Sequence, residues 1–82
     1  MAKYILRWSY DTKNKFLNYF DKGLLRNALE YLQGLAIVDF KIVPINEDIY
    51  YFTYPEIKPK ICILFSIISI NEIKILDFIE IK

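Results

Sequence analysis

The sequence predicts an α+β domain in which an N-terminal strand and a helical hairpin precede an antiparallel β-sheet, in the order β-α-α-β-β-β with room for one further strand. Three observations support this class: polar and apolar residues alternate near the N-terminus, apolar residues then recur at steps of three and four, and the remainder is rich in β-branched residues. The chain has 82 residues, of which 55% are hydrophobic and 17% aromatic. This length allows one core, so residues 1–82 are expected to form a single domain.

The first predicted element is a strand from Lys3 to Tyr10. Aromatic and aliphatic residues occupy every second position, which is typical of a strand with one buried face. These positions are Tyr4, Leu6, Trp8 and Tyr10. Asp11 or Thr12 follows and offers a side-chain oxygen as the N-cap of a helix.

The next segment, residues 13–35, has the apolar spacing of an amphipathic helix. The stretch Asp21-Lys22-Gly23 interrupts it, and glycine within a helix costs about 1 kcal/mol relative to alanine. The sequence therefore predicts two helices, roughly residues 12–20 and 22–34, with Gly34 as the C-cap. A single kinked helix is the alternative.

Two strands are predicted after the helices. The first, Ile37 to Val43, is β-branched and ends before a proline, and residues 46–48 are expected to form a turn. The second, Ile49 to Tyr54, places Tyr50, Phe52 and Tyr54 on one face. This aromatic face is interpreted as core, above all at Phe52, with base stacking as the functional alternative.

The C-terminal third contains the most continuous apolar runs. Ile61 to Ile70 has no alternation, which predicts a central strand covered on both faces, with Cys62 as a small buried side chain. Asn71 and Glu72 are expected to turn the chain into a last strand, Ile73 to Lys82. Strict alternation would place Asp77 among isoleucines, where burial would raise its pKa and a general-acid role is the functional alternative. The preferred prediction is a β-bulge near Leu76 to Phe78 that returns the carboxylate to solvent.

Composition excludes several kinds of site. The chain has no histidine and one cysteine, so neither a zinc site nor a Ser-His or Cys-His nucleophile pair is expected, and no metal or cofactor is predicted. The longest uncharged run is too short for the ~20 residues of a membrane-spanning helix. No membrane association and a cytoplasmic location are therefore expected. Net charge is +1, a weak basic excess for a dedicated nucleic-acid binder.

Three collinear stretches resemble the RelE/ParE/HigB toxin superfamily of bacterial type II toxin–antitoxin systems. FDKGLLRNALEYL is similar to the entry of the family's second helix, and DIYYFTYPEIKPKICILFSI to its central hairpin. IKILDFIEIK is similar to the closing strand. The resemblance implies a RelE/ParE-like fold, a toxin or toxin-like function and a cognate antitoxin as partner.

Two activities follow from this resemblance. One is ribosome-dependent cleavage of mRNA, with the ribosome and mRNA as further partners, and the other is ParE-like, non-nucleolytic inhibition of DNA gyrase. The chain departs from the family's basic set at Thr53, where an arginine is usual, which predicts a degenerate nuclease site. The alternative from another class is a small phage or mobile-element module that binds proteins without enzymatic activity. A homodimer is the alternative to an antitoxin partner.

The candidate site residues lie near the hairpin and on the helices. Lys60, Lys58 and Tyr54 are the candidate catalytic groups, since phosphate chemistry needs cations and a proton donor or acceptor. The competing interpretation of the lysines is ordinary solvated charge beside a turn. Arg26, Lys22 and Lys82 are the candidate RNA-facing or partner-facing cations, again with a solvated surface as the alternative.

Overall fold

The structure, a computed structural model, describes residues 3–36, 39–44, 46–54, 56 and 61–80. Within them, two helices pack on one face of a five-stranded mixed sheet, which confirms the predicted α+β class and the order of its elements. The elements are β1 (Ile5–Arg7), α1 (Tyr10–Tyr19), α2 (Lys22–Gln33), β2 (Lys41–Val43), β3 (Asn46–Thr53), β4 (Ile61–Ser69) and β5 (Glu72–Glu80). The strand order across the sheet is β1-β5-β4-β3-β2.

Strand β1 is shorter than the alternation suggested. Ser9 ends the extended segment because it is the N-cap of α1: its hydroxyl accepts a hydrogen bond from the N–H of Thr12 at 3.1 Å. The prediction that Asp11 or Thr12 would cap the helix is therefore wrong. Tyr10 is the first helical residue and is 78% exposed, so it does not continue the buried face of the strand.

The helical hairpin is confirmed, and the single kinked helix is not observed. Asp21 separates the helices and caps α2, since its carboxylate accepts from the N–H groups of Gly23 and Leu24 at 3.0 and 3.3 Å. An aspartate at this position satisfies helical donors that have no partner within the helix. Gly34 is the C-cap, as predicted.

The four C-terminal strands are antiparallel neighbours, and β4 is central, as expected from its continuous apolar sequence. Strand β1 differs because it pairs in parallel with the N-terminal half of β5. Period-two alternation specifies which face of a strand is buried but not the direction of its neighbour. The sequence therefore gave no indication of this parallel edge.

Two turns fall at other positions than expected. Asn46 already belongs to β3 and pairs with Val43, so residues 44 and 45 connect β2 to β3. Ser69 pairs with Glu72, so the last turn is formed by residues 70 and 71. The first turn thus falls before residues 46–48, and the last turn keeps its length of two residues but is shifted by one position. The strand predicted from Ile37 to Val43 is shorter in the structure, because β2 begins at Lys41 and does not include Asp39 or Phe40. Residues 37 and 38 lie outside the described residues.

The core lies between the helices and one face of the sheet. Its largest fully buried side chains include Phe16 from α1, Leu32 from α2 and Phe65 from β4. No polar or charged residue is buried among those that the structure describes. Phe16 packs edge-on against both Trp8 and Phe78, with ring centroids 5.5 and 5.0 Å apart, which joins both ends of the chain in one aromatic cluster.

The alternation of β5 changes phase at a β-bulge. Ile75 pairs with Phe65 but Asp77 pairs with Leu64, so Leu76 is the inserted residue. Before the bulge, Ile73 and Ile75 are buried against the core, each 1% exposed. Beyond it Phe78 packs against the helices, and Ile79 lies on the opposite face. The strict alternation that would have placed Ile79 with the other isoleucines is therefore wrong, whereas the predicted bulge is confirmed.

Candidate functional site

The candidate catalytic residues are described only in part. Tyr54 follows the end of β3 and packs half-buried against the core, with its ring tilted on that of Tyr31 at 5.5 Å. No described side chain forms a hydrogen bond with its hydroxyl. Lys58, Lys60 and Lys82 lie outside the described residues. The described part of the chain thus assigns Tyr54 a packing role and brings no acid–base partner to it.

The aromatic face of β3 is core, as predicted. Phe52 is 4% exposed, and Tyr50 stacks on the ring of Phe65 at 5.9 Å. Both side chains contact the hydrophobic cluster under the helices. A base cannot stack on rings that already pack in this way, so this face is not a nucleic-acid platform.

Asp77 forms an ion pair at the edge of the sheet. Its Oδ1 accepts from Lys15 Nζ at 2.6 Å and from the backbone N–H of Phe78 at 2.8 Å. Partial burial alone would raise the pKa of Asp77. The hydrogen bonds from Lys15 and Phe78, with the charge of Lys15, outweigh it and lower the pKa of Asp77 below its ordinary value. Asp77 is therefore a carboxylate at neutral pH and not a general acid.

This ion pair also protects an exposed strand edge. Strand β1 covers β5 only as far as Lys74, so on the side away from β4 the C-terminal half of β5 has no neighbouring strand among the described residues. The bulge and the carboxylate occupy this half, and the N–H of Phe78 is satisfied by Asp77. Bulges and charges are the usual means by which proteins prevent unwanted pairing at sheet edges.

The two described partner-facing candidates, Lys22 and Arg26, line a groove between β1 and α2. The groove has a volume of about 350 Å³, and its apolar walls come from both elements. Its lining residues are Leu6, Trp8, Lys22, Leu25, Arg26, Leu29, Glu30 and Gln33. Among the described residues neither cation has a carboxylate within ion-pair distance. We call this feature the β1–α2 groove.

Gln33 closes one end of the groove by a double hydrogen bond. Its side-chain Oε1 accepts from the N–H of Tyr4 at 2.6 Å, and its Nε2 donates to the carbonyl of Tyr4 at 2.8 Å. The side-chain amide thus occupies the place of a neighbouring strand. Nothing in the spacing of the sequence indicated this contact, because the two residues are 29 positions apart and glutamine is common on helix surfaces.

A second surface lies on the sheet face away from the helices. It contains an apolar depression of about 270 Å³, lined by Val43, Pro44, Tyr51, Cys62, Leu64 and Ile79. We call it the open sheet face. No described helix covers it, so among the described residues the predicted cover of β4 by helices is seen on one face only. Cys62 is nevertheless buried, as expected, at 5% exposure.

Two lysines flank the open sheet face. Lys41 lies opposite Tyr51 in the β2–β3 pair, and Lys74 lies opposite Ser66 in the β4–β5 pair. Residues directly opposite one another in antiparallel strands share a face. Both lysines are exposed, and no described carboxylate pairs with either of them. The apolar surface therefore has two lysines at its rim without a described ion-pair partner, besides Asp77, which lies opposite Leu64 and is paired with Lys15.

The described residues contain no cluster of side chains suited to hold a metal ion. None of the described helices is long and apolar enough to cross a membrane. Comparisons with protein-family models, curated proteins and solved structures find no match to this chain. The superfamily resemblance consequently stays a prediction, and the function is argued from the two surfaces.

Proposed function

We propose that this protein is the toxin-like component of a type II toxin–antitoxin pair, that it acts by binding and not by cleaving RNA, and that its antitoxin covers the open sheet face. The resemblance in sequence supports the class of system. The structure contributes a surface that a partner protein would occupy.

The observation that carries the proposal is the central strand. β4 is apolar on both faces, yet only the face of Ile61, Ile63 and Phe65 is covered by the helices. Leu64 on the other face remains partly exposed beside Ile79, which is 51% exposed. Contiguous exposed apolar surface on a small protein is typical of a protein–protein interface.

The charges favour an acidic partner. Lys41 and Lys74 flank the open sheet face, and the described residues give neither an ion-pair partner. An apolar surface with carboxylates at its margin would therefore be complementary, and charge complementarity adds specificity and speeds association. A second copy of this chain would oppose like charges, which favours a different protein as the occupant.

Catalysis has weaker support. RNA cleavage needs cations around a phosphate and groups that transfer protons, and arginine provides a bidentate contact that threonine at position 53 cannot. Tyr54 is engaged with Tyr31. A nuclease site would have to be built around Lys58 and Lys60.

Expression in bacteria tests the proposal directly. We expect growth arrest on expression of the chain alone and recovery on co-expression of the adjacent open reading frame, with no new 5′ ends in cellular mRNA. Arrest that is accompanied by mRNA cleavage and is relieved by Lys60→Ala, with the fold intact, would replace the binding mechanism by the nuclease mechanism. Unchanged growth in both cases would favour the protein-interaction module without toxicity.

A further inference from the structure

Within the described part of the chain, one pair of backbone hydrogen-bonding groups on the outer edge of β1 has no partner. The N–H of Ile5 donates to the carbonyl of Asn71 at 2.7 Å, and Ile5 pairs with Glu72, so Ile5 and Arg7 direct their backbone groups toward β5. In a parallel ladder the intervening residue points both groups the other way. The N–H and C=O of Leu6 therefore face outward, and no described residue bonds to them.

Gln33 limits this edge on the side of Tyr4. The residue before Ile5, Tyr4, also directs its backbone groups outward, but both are already bonded to the Gln33 amide. An added strand must therefore place one residue opposite Leu6 and cannot extend past Tyr4. The register of any added strand is fixed by this arrangement.

The side chains around this position define what such a strand would carry. A residue paired with Leu6 would share its face and direct its side chain into the β1–α2 groove, whose walls include Leu25 and Leu29. Two residues further along, toward Trp8, the next side chain on that face would approach Lys22 and Arg26. These cations have no described ion-pair partner.

We propose that the β1–α2 groove binds an extended peptide segment that adds as a strand to β1 at Leu6, inserts an apolar side chain between the strand and α2, and places an acidic side chain against Lys22 and Arg26. For an added strand that runs parallel to β1 the sequence pattern that fits is an apolar residue, any residue, then aspartate or glutamate, and for an antiparallel strand the order is reversed. Strand addition with pockets for alternate side chains is a general mode of peptide recognition.

The observations favour a peptide over RNA as the occupant. The groove is lined by apolar side chains, it carries two cations and one acid, Glu30, and its hydrogen-bonding edge is a strand backbone. A single-stranded nucleic acid would need a longer basic track and aromatic faces open to bases. Trp8 is half-buried and packs edge-on against Phe16, so its faces are not a free stacking platform.

This inference rests on the proposed function only in taking the segment from a protein partner, and its test does not need that partner. Trp8 is the single tryptophan and lies in the groove, so its fluorescence reports occupancy. We would titrate the protein with a six-residue alternating peptide that contains leucine and glutamate in the stated pattern, and with a matched peptide that has lysine in place of glutamate. The acidic peptide is expected to bind in a saturable manner and the basic peptide to bind at least about tenfold more weakly.

Variants locate the contact. Arg26→Glu reverses an exposed charge in the groove and should weaken binding of the acidic peptide about tenfold or more. Lys13→Glu, on the exposed surface of α1 outside the groove, should have little effect on this affinity. Equal affinity for both variants, or equal affinity for both peptides, would overturn the inference.

Amide hydrogen exchange distinguishes strand addition from other modes. The Leu6 N–H is expected to exchange faster than the Arg7 N–H in the unbound protein and to become protected when the acidic peptide is bound. Binding without protection of Leu6, or displacement of the peptide by a single-stranded RNA of the same charge, would overturn it. If neither peptide binds while the product of the adjacent gene still binds, this inference is wrong and the proposed function is not affected.

Discussion

The double hydrogen bond between Gln33 and Tyr4 attaches the edge strand to α2, and replacing Gln33 with leucine removes it. Leucine has a similar size but leaves the N–H and C=O of Tyr4, which now have bonds of 2.6 and 2.8 Å, without partners. Each intramolecular hydrogen bond contributes about 0.5–1.5 kcal/mol net, so the loss of two predicts that Gln33→Leu lowers the free energy of unfolding by about 1–3 kcal/mol. In a domain of this size each kcal/mol lowers Tm by about 4–8 °C.

Gln33→Glu separates the two bonds. Glutamate can still accept from the Tyr4 N–H, but its ionised carboxylate cannot donate to the Tyr4 carbonyl. We expect Gln33→Glu to lower the free energy of unfolding by at least about 1 kcal/mol at neutral pH, because a carboxylate oxygen then faces the Tyr4 carbonyl oxygen and both are acceptors.

Urea denaturation followed by Trp8 fluorescence measures both effects. Asn27→Leu, at an exposed position of α2, is the matched control and should change stability by less than about 0.5 kcal/mol. A Gln33→Leu midpoint equal to that of Asn27→Leu would refute the reasoning that this side chain secures β1.

The remaining predictions concern the edge of β5, the core and the hairpin. Asp77→Asn should lower the free energy of unfolding by less than about 1 kcal/mol, since both side chains of the ion pair with Lys15 are near half exposed. Because folding lowers the pKa of Asp77 from 3.8, its stabilisation is present above that pH and is lost as the pH falls further, so wild type and variant should converge in acid unfolding curves. Phe65→Ala removes a fully buried ring and should lower the free energy of unfolding by about 3–5 kcal/mol, against about 1 kcal/mol for Asp21→Ala at the N-cap of α2, both by calorimetry. Equal losses for these two would contradict the assignment of the core.

The local parts of the fold could be predicted because their causes are local. The spacing of apolar residues indicated both helices, Gly23 with Asp21 marked their boundary, and the uninterrupted apolar run identified β4 as central. Asp77 indicated a bulge because burying an unpaired carboxylate among isoleucines is costly. Each of these inferences depends on residues a few positions apart.

The parts that could not be predicted depend on contacts between distant residues. The parallel pairing of Ile5 with Glu72 joins the two ends of the chain, and the bond between Gln33 and Tyr4 joins a helix end to an edge strand. No residue spacing specifies either contact. Continuous apolarity of β4 predicted cover on both faces, and the described helices cover only one of them, although Cys62 on the other face is 5% exposed.

Sedimentation velocity of the purified chain with the product of the adjacent gene tests the central claim most directly. Two variants form a matched pair: Ile79→Glu places a charge on the open sheet face, where Ile79 is 51% exposed, and Ile70→Glu places one in the last turn, where Ile70 is 83% exposed. We predict a stable heterocomplex for wild type and for Ile70→Glu, and a loss of at least about tenfold in affinity for Ile79→Glu, since an unpaired charge would then be buried. A complex that tolerates Ile79→Glu as well as Ile70→Glu, or two proteins that sediment independently at all concentrations, would contradict the account.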